Sequence, residues 1–496
     1  MAKRILAFDF GASSGRAMLA SYDGQTIAVE EIHRFSNDPV TLHGHMYWDI
    51  LRLWHEVKQG MLKARLAGPI DAVGIDTWGV DFALLDRHGE LLGNPAHYRD
   101  PRTQGIPEEV FERLPAHELY RRTGIQTLRF NTLYQLYYLA TRHPERLAQT
   151  DKILLIPDLF AYFLTGERRA EMTIASTSNF LDPHRRTWDT DILERLGVPT
   201  GILPELIAPG QVYGTLRPEL CEELGCPPLP VIAVCTHDTA SAVAAVPAVS
   251  AGAEGFAYIS CGTWSLFGTE LPAPLMSAGA EAAQFTNEGG WDGSIRFLKN
   301  IMGLWLIQES RRHWMRQGEQ VSYAELEAEA LAAPPFVSFV DCDAPEFETA
   351  GDLPGRVQRF CEVTGQPVPR TRGEIMRCIY QSLAMKYKQH FATLCGLTGV
   401  RYPRIHMLGG GIKDTLLCRM TADATGVTVQ AGPAEATVMG NIAVCLLSLG
   451  ELDSLAQARA VIARSVPLAT YTPADPDSWD RRYATYQTYV GKSGRT

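Results

Sequence analysis

Ile5–Arg16 reads ILAFDFGASSGR, an apolar run that ends at Asp9 and Gly11 and passes into small hydroxyl residues. With further apolar runs at Ala17–Ala20 and Thr26–Ile32, it predicts a strand, a tight turn, a second strand and a third. The pattern returns about 250 residues later, where Ile259–Ser265 reads ISCGTWS and leads into the apolar Leu266–Phe267. Aligned, Phe8-Asp9-Phe10-Gly11-Ala12-Ser13-Ser14 and Ile259-Ser260-Cys261-Gly262-Thr263-Trp264-Ser265 share an apolar strand, a glycine turn and hydroxyl residues. Two such hairpins predict two related domains facing one another across a cleft, a common location for a ligand. The boundary is expected near Pro247–Gly255, giving domains at 1–246 and 247–496.

Outward from the first hairpin, Trp48–Leu66 carries Ile50, Trp54, Val57, Met61 and Ala64 at spacings of three and four, the stripe of an amphipathic helix. Asp71–Asp76 returns as a strand, and this alternation predicts an α/β layered fold with a mixed sheet. In the second half, Leu298–Gln308 reads as a core helix carrying Lys299, Asn300 and Gln308. Residues 342–373, rich in Asp, Glu, Pro and Gly, read as a loop-bearing insertion. Glu374–Leu394 has helical periodicity, Arg404–Leu408 reads as a strand broken by Gly409–Gly411, and Gly491–Thr496 is expected to fray.

The chain has 496 residues, 46% hydrophobic and 21% charged, with a net charge of -10. That balance argues against a general nucleic-acid binder, which needs a clustered basic surface. Asp9 interrupts the early apolar stretch and the other apolar runs are far shorter than the roughly 20 residues of a membrane helix, so a cytoplasmic protein is expected. The ten cysteines, scattered through apolar segments, read as reduced core thiols. Cys221 and Cys226 are spaced too widely for a usual zinc knuckle.

Several polar residues stand out. In the first hairpin, glycines let backbone amides approach an anion, Ser13 and Ser14 can donate, and Arg16 adds charge; an ordinary turn would use the same residues. Gly262–Thr263 and Gly409–Gly411 offer two further glycine loops for phosphates and adenosine, without a Walker A ending or a Rossmann fingerprint. Asp9 at the end of an apolar strand suits magnesium held through water, or caps the turn. Asp238, in the corner His237-Asp238-Thr239 between Val231–Val234 and an alanine-rich helix, suits a general base; Asp238 or Thr239 also suits a helix cap. In Gly74–Phe82 (GIDTWGVDF), Trp78 beside Asp76 and Asp81 suits a polyol, or is a buried tryptophan beside acidic turn residues.

Taken together, FDFGASSGR at 8–16, GIDTWGVDF at 74–82, HYRDPRT at 97–103, FNTLYQL at 130–136, HDTASAV at 237–243, SCGTWSLFG at 260–268, LKNIMGLWL at 298–306 and LGGGIKDTLL at 408–417 resemble the FGGY carbohydrate kinases over nearly the whole chain. The tryptophan segments and HDTASAV resemble the branch that acts on rhamnulose. The resemblance implies two ribonuclease H-like (actin-like ATPase) domains closing on ATP and sugar, with an interdomain catalytic cleft, the first domain binding sugar and the second nucleotide. It implies phosphate contacts from Ala12, Ser13, Ser14, Gly15 and Arg16, and sugar contacts from Gly79, His237, Asp238, Thr239 and Asn300. Asp238 would accept the proton, Thr263, Gln308 and Gly410 would contact nucleotide, and Asp9 would hold Mg2+ through water. The expected reaction is transfer of the γ-phosphoryl of ATP to the 1-hydroxyl of L-rhamnulose. Other expectations are a kinase for fuculose, xylulose or glycerol, and an actin-like or chaperone-like ATPase that needs no sugar base.

Overall fold

The structure is a computed structural model that describes residues 2–248 and 255–492. Residues 249–254, where the domain boundary was expected, and 493–496 of the tail expected to fray lie outside the described residues. The chain folds as two compact units: the first gathers Met1–Val249, Glu270–Leu298 and Ala436–Val466, the second Ser250–Thr269, Lys299–Glu435 and Pro467–Thr496.

The first sheet is built from β1 (Lys3–Phe10), β2 (Ser14–Tyr22), β3 (Ile27–Ser36), β4 (Ala72–Thr77), β5 (Val212–Thr215) and β6 (Pro230–Ile232), in the order β5-β6-β4-β1-β2-β3. The first three strands form the predicted antiparallel meander, β4 runs parallel to β1, and β6 runs parallel to β4. β1 and β4 are buried on both faces, which explains their near-continuous apolar sequence. On one face lies the helix Ile50–Leu66, two residues shorter than the predicted stripe because Asp49 caps it by accepting from the Arg52 N–H. On the other, the helices Asp238–Ala244 and Ala436–Ser448 approach so closely that a Cβ on Gly440 would lie 1.8 Å from the Ser241 carbonyl oxygen.

The second sheet contains β7 (Ala257–Cys261), β8 (Trp264–Leu271), β9 (Thr286–Gly289), β10 (Ile295–Met302), β11 (Arg404–Leu408), β12 (Thr428–Ala431) and β13 (Ala469–Tyr471), in the order β9-β10-β8-β7-β11-β12-β13. Its stretch β10-β8-β7-β11-β12 repeats the order β3-β2-β1-β4-β6: a central strand with a hairpin on one side and two parallel strands on the other. The two similar hairpins in the sequence are thus the first two strands of two sheets of like topology.

Two expectations are corrected. Leu298–Gln308 is not one helix: β10 continues to Met302, and the helix begins at Trp305. Gly303 makes the break, sitting where a Cβ would come within 2.5 Å of Ser265 Oγ and 2.7 Å of its backbone nitrogen. Residues 342–373 are not simply a loop, because Leu353–Val363 is helical, capped by Asp352, with Leu353, Val357 and Phe360 buried. Pro354 and Gly355 disguised it, although proline is tolerated in a first turn. The helix predicted at Glu374–Leu394 spans Arg372–Thr398, started by a capping box between Thr371 and Glu374. All ten cysteines are free thiols, and no helix among the described residues is long and apolar enough to cross a membrane.

Candidate active site

The loop between β1 and β2 is closed by a hydrogen bond from the Gly11 N–H to the Ser14 carbonyl, 2.9 Å, and braced by buried Asn37. Asn37 donates from its side chain to the Gly11 carbonyl (2.8 Å) and from its N–H to the Ser13 carbonyl (3.1 Å). Ala12, Ser13 and Ser14 are left at least partly open. Gly15 differs from its neighbours: a Cβ there would sit 2.2 Å from the Phe35 ring, so packing alone requires the glycine. Asp9 and Arg16 face one another across the hairpin register and form an ion pair. Asp76 pairs with Asp9 in the parallel register, is fully buried and accepts from Asn441 Nδ2 at 2.6 Å. Burial and the neighbouring Asp9 hold its carboxyl well above the usual range.

The chain leaving β6 is pinned to the end of β4. The Thr77 N–H donates to the Thr236 carbonyl at 2.9 Å, and Thr77 bridges to His237 in parallel register. Buried Glu171 accepts from the Thr236 N–H and hydroxyl at 3.1 and 2.7 Å, and the His237 N–H donates to Thr173 Oγ1 at 3.3 Å. These bonds aim the corner at which the helix Asp238–Ala244 starts. His237 occupies the cap position but makes no side-chain cap bond, and Asp238 is the first helical residue. Its hydrogen bonds, from the Thr239 N–H (2.5 Å) and hydroxyl (3.1 Å), both end on Oδ1, as does the 3.4 Å approach of His237 Nε2. With the side chain 30% exposed, Oδ2 remains available.

Gly79 belongs to the same cluster: a Cβ on it would lie 3.3 Å from His237 Nε2 and 3.2 Å from the Thr177 methyl. Trp78 does not present a face to solvent. It is buried, with its ring centroid 4.0 Å from that of Trp48, and both indole N–H groups donate to Asp81 Oδ2, at 3.1 and 2.6 Å. Asp81 also accepts from the Tyr98 N–H and from Gln135 Nε2, both at 3.0 Å. Burial pushes its carboxyl up to about 7 against the pull of those donors. Of the two interpretations of this segment, the buried tryptophan is the one the structure displays.

In the second unit, Thr263 follows Gly262 in the turn between β7 and β8, and its hydroxyl reaches Gln308 Oε1 at 3.4 Å. Gly409 and Gly411 pack on Cys261 at the end of β7: their added Cβ atoms would meet its carbonyl oxygen at 3.2 and 2.7 Å. Gly410 between them is exposed. Thr263, Gln308 and Gly410 are therefore gathered around the ends of β7 and β11. Asn300 lies half-buried on β10.

These features match known proteins closely. Residues 4–245 match the N-terminal domain, and residues 257–449 the C-terminal domain, of the FGGY family of carbohydrate kinases. The chain belongs to that family. A rhamnulokinase of Bacteroides thetaiotaomicron is 43% identical over 491 residues, covering 99% of this chain and 100% of that protein. One of Enterococcus faecalis is 40% identical over 493 residues, covering 98% and 97%. A xylulose kinase structure from Lactobacillus acidophilus superposes with a TM-score of 0.83 at 16% identity, covering 99% of both chains. The fold is that of the two-domain ribonuclease H-like carbohydrate kinases.

Around the expected residues, this FGGY kinase places others that sequence reasoning missed. Glu288 on β9 and Arg296 on β10 are directly opposite in the hairpin register, and their buried ion pair spans 3.0 Å. Arg296 also donates to His237 Nδ1 at 2.9 Å. The available signal was an arginine inside the apolar run Ile295–Leu298, seven residues after Asn287-Glu288-Gly289. Asn37, Glu171 and Asn441 carried no comparable signal, since each lies far in sequence from what it holds.

Proposed function

We propose that this FGGY kinase transfers the γ-phosphoryl group of Mg-ATP to the 1-hydroxyl of L-rhamnulose, forming L-rhamnulose 1-phosphate and ADP in L-rhamnose breakdown. The substrate follows from the near-full-length similarity to proteins named rhamnulokinase. The observation that carries the mechanism is Asp238, whose hydrogen bonds all use Oδ1 while its partly exposed side chain leaves Oδ2 to accept a proton.

As the sugar O1 attacks the γ-phosphorus, its proton passes to Asp238, the bond from γ-phosphorus to the bridging oxygen breaks, and ADP leaves with that electron pair. His237, Thr239, Gly79 and Asn300 bind the sugar. Ala12, Ser13, Ser14 and Arg16 in the first unit contact phosphate, Gly15 shapes that loop, and Thr263, Gln308 and Gly410 in the second hold nucleotide. Asp9, with the Asp76 Oδ1 that has no hydrogen-bond partner beside it, offers the hard oxygen donors that suit magnesium bound through water. When bound, the metal neutralises charge on the phosphate oxygens. The protein works in the cytoplasm.

Asp238→Asn tests the base directly: turnover should fall about 10²–10⁴-fold with ATP binding retained. Wild-type turnover in that variant overturns the role. Coupled ADP release measured with rhamnulose, fuculose, xylulose and glycerol tests the substrate. Preference for another member replaces it, and ATP turnover indifferent to every sugar rejects the kinase assignment in favour of an ATPase.

A further inference from the structure

The imidazole beside Asp238 is held from behind by an arginine that is completely buried. Arg296 donates through Nε to the Gly289 carbonyl at 2.8 Å, and its Nη2 lies 3.0 Å from Glu288 Oε2 and 2.9 Å from His237 Nδ1. A guanidinium has hydrogens to give and no lone pair to receive one. At 2.9 Å from Nη2, Nδ1 must therefore present its lone pair, and the proton of a neutral ring sits on Nε2. Glu288 is the competing influence: its Oε2 is 3.4 Å from the same Nδ1 and would welcome a proton there. The shorter contact belongs to the arginine, which is also ion-paired with that carboxylate. Burial pushes the Glu288 carboxyl up, but the charge of Arg296 outweighs that and holds it below its ordinary range.

We propose that Arg296 is a positioning residue that sets the His237 tautomer, so that Nε2–H points at Asp238 Oδ1 and toward Gly79, where the sugar binds. The consequence is a division of labour within one carboxylate. Thr239 holds Oδ1, Oδ2 is left for the proton of the sugar, and Nε2–H, facing the Oδ1 side, is the one donor the ring has to offer a sugar oxygen. Without Arg296, Nδ1–H turns to Glu288, and Nε2 becomes a lone pair facing Asp238. The inference rests on the proposed role of Asp238 but concerns a ring that can be observed without turnover.

The experiment uses full-length protein labelled with ¹⁵N-histidine, His237 being assigned by loss of its signal in His237→Gln. The wild type without ligands should show the Nε2–H tautomer; the Nδ1–H tautomer overturns the proposal whatever the enzyme phosphorylates. Arg296→Leu should shift the ring toward Nδ1–H. Because that variant leaves Glu288 buried without its partner and threatens folding, the charge-balanced pair Arg296→Leu with Glu288→Leu is measured beside it. The pair should lose the fixed tautomer and raise the sugar KM about tenfold, the scale of one lost hydrogen bond, with the ATP KM unchanged. A folded pair with a wild-type ring signal and wild-type sugar KM sinks the idea. If rhamnulose is not the substrate, the ring signals still decide the tautomer.

Discussion

The hairpins β1–β2 and β7–β8 begin sheets of the same strand order, yet their tips are equipped differently. The first places an ion pair, Asp9 with Arg16, across its register and has Asp76 on the adjoining strand. In the second, the position aligned with Asp9 is Ser260, the register partner there is Leu266, and the strand beside it ends in the glycines 409–411. One scaffold thus carries an ion pair and a buried carboxyl at one hairpin tip, and a neutral set of glycines and hydroxyls at the other. Their buried acids differ too. Asp81 in the first unit relies on neutral N–H donors, whereas Asp341 in the second is 2.8 Å from buried Lys386, which Asp343 approaches equally closely. Burial alone would lower the lysine, but the two aspartates hold it above its ordinary range.

The largest test of this contrast pits the charged ends against the neutral ones. Asp238→Asn should cost the 10²–10⁴-fold in turnover given above, whereas Thr263→Val removes one neutral contact and should raise the ATP KM only about two- to tenfold with little change in kcat. Equal losses in both would erase the distinction. Next in size is Gly440→Ala, whose methyl would strike the Ser241 carbonyl. Overpacking of this kind costs about 1–3 kcal/mol, to be read as a lower urea midpoint. A neutral result would mean that the two helices separate easily.

The smallest effect concerns pH. Asp81 in the fold binds its proton up to about 7, while the unfolded carboxyl releases it near 4. Between those values the native state holds more protons than the unfolded chain, so stability falls as pH rises through the window. Urea midpoints from pH 4 to 7 should show that decline, and Asp81→Asn should flatten it. Lys386 has the same sign in a different window: the raised lysine contributes stability that is full through neutral pH and is lost only as pH climbs above the ordinary lysine range. Lys386→Met strips two aspartates of their cation and should lower the urea midpoint at neutral pH.

The sequence displayed the sheets well because strands and turns leave local marks: β1, β2 and β11 appear where the apolar runs and glycines put them. The Leu298–Gln308 misassignment arose because a short apolar run fits either period, and only the contact of Gly303 with Ser265 decides it. The helix Leu353–Val363 hid behind residues typical of turns. At the site, residues on glycine corners were legible, whereas their supports were not. Glu171 holds Thr236 from 65 positions away, and Asn441 reaches Asp76 across 365. Nothing periodic links such partners, and Trp78 shows the same limit, since its neighbour Trp48 decides whether it faces solvent or core.

The hydrogen bond from Asn441 to Asp76 bears on how the protein is made. A ribosome delivers β1 and β4 early and the helix Ala436–Ser448 near the end of synthesis. Until that last stretch emerges, Asp76 lacks its partner and the Gly74 side of the sheet lacks its cover, so the unit begun first stays unfinished until most of the second has been translated. A nascent chain stopped before residue 436 should still present apolar surface to chaperones, and the enzyme should resist being rebuilt from separately expressed halves cut between its two family domains.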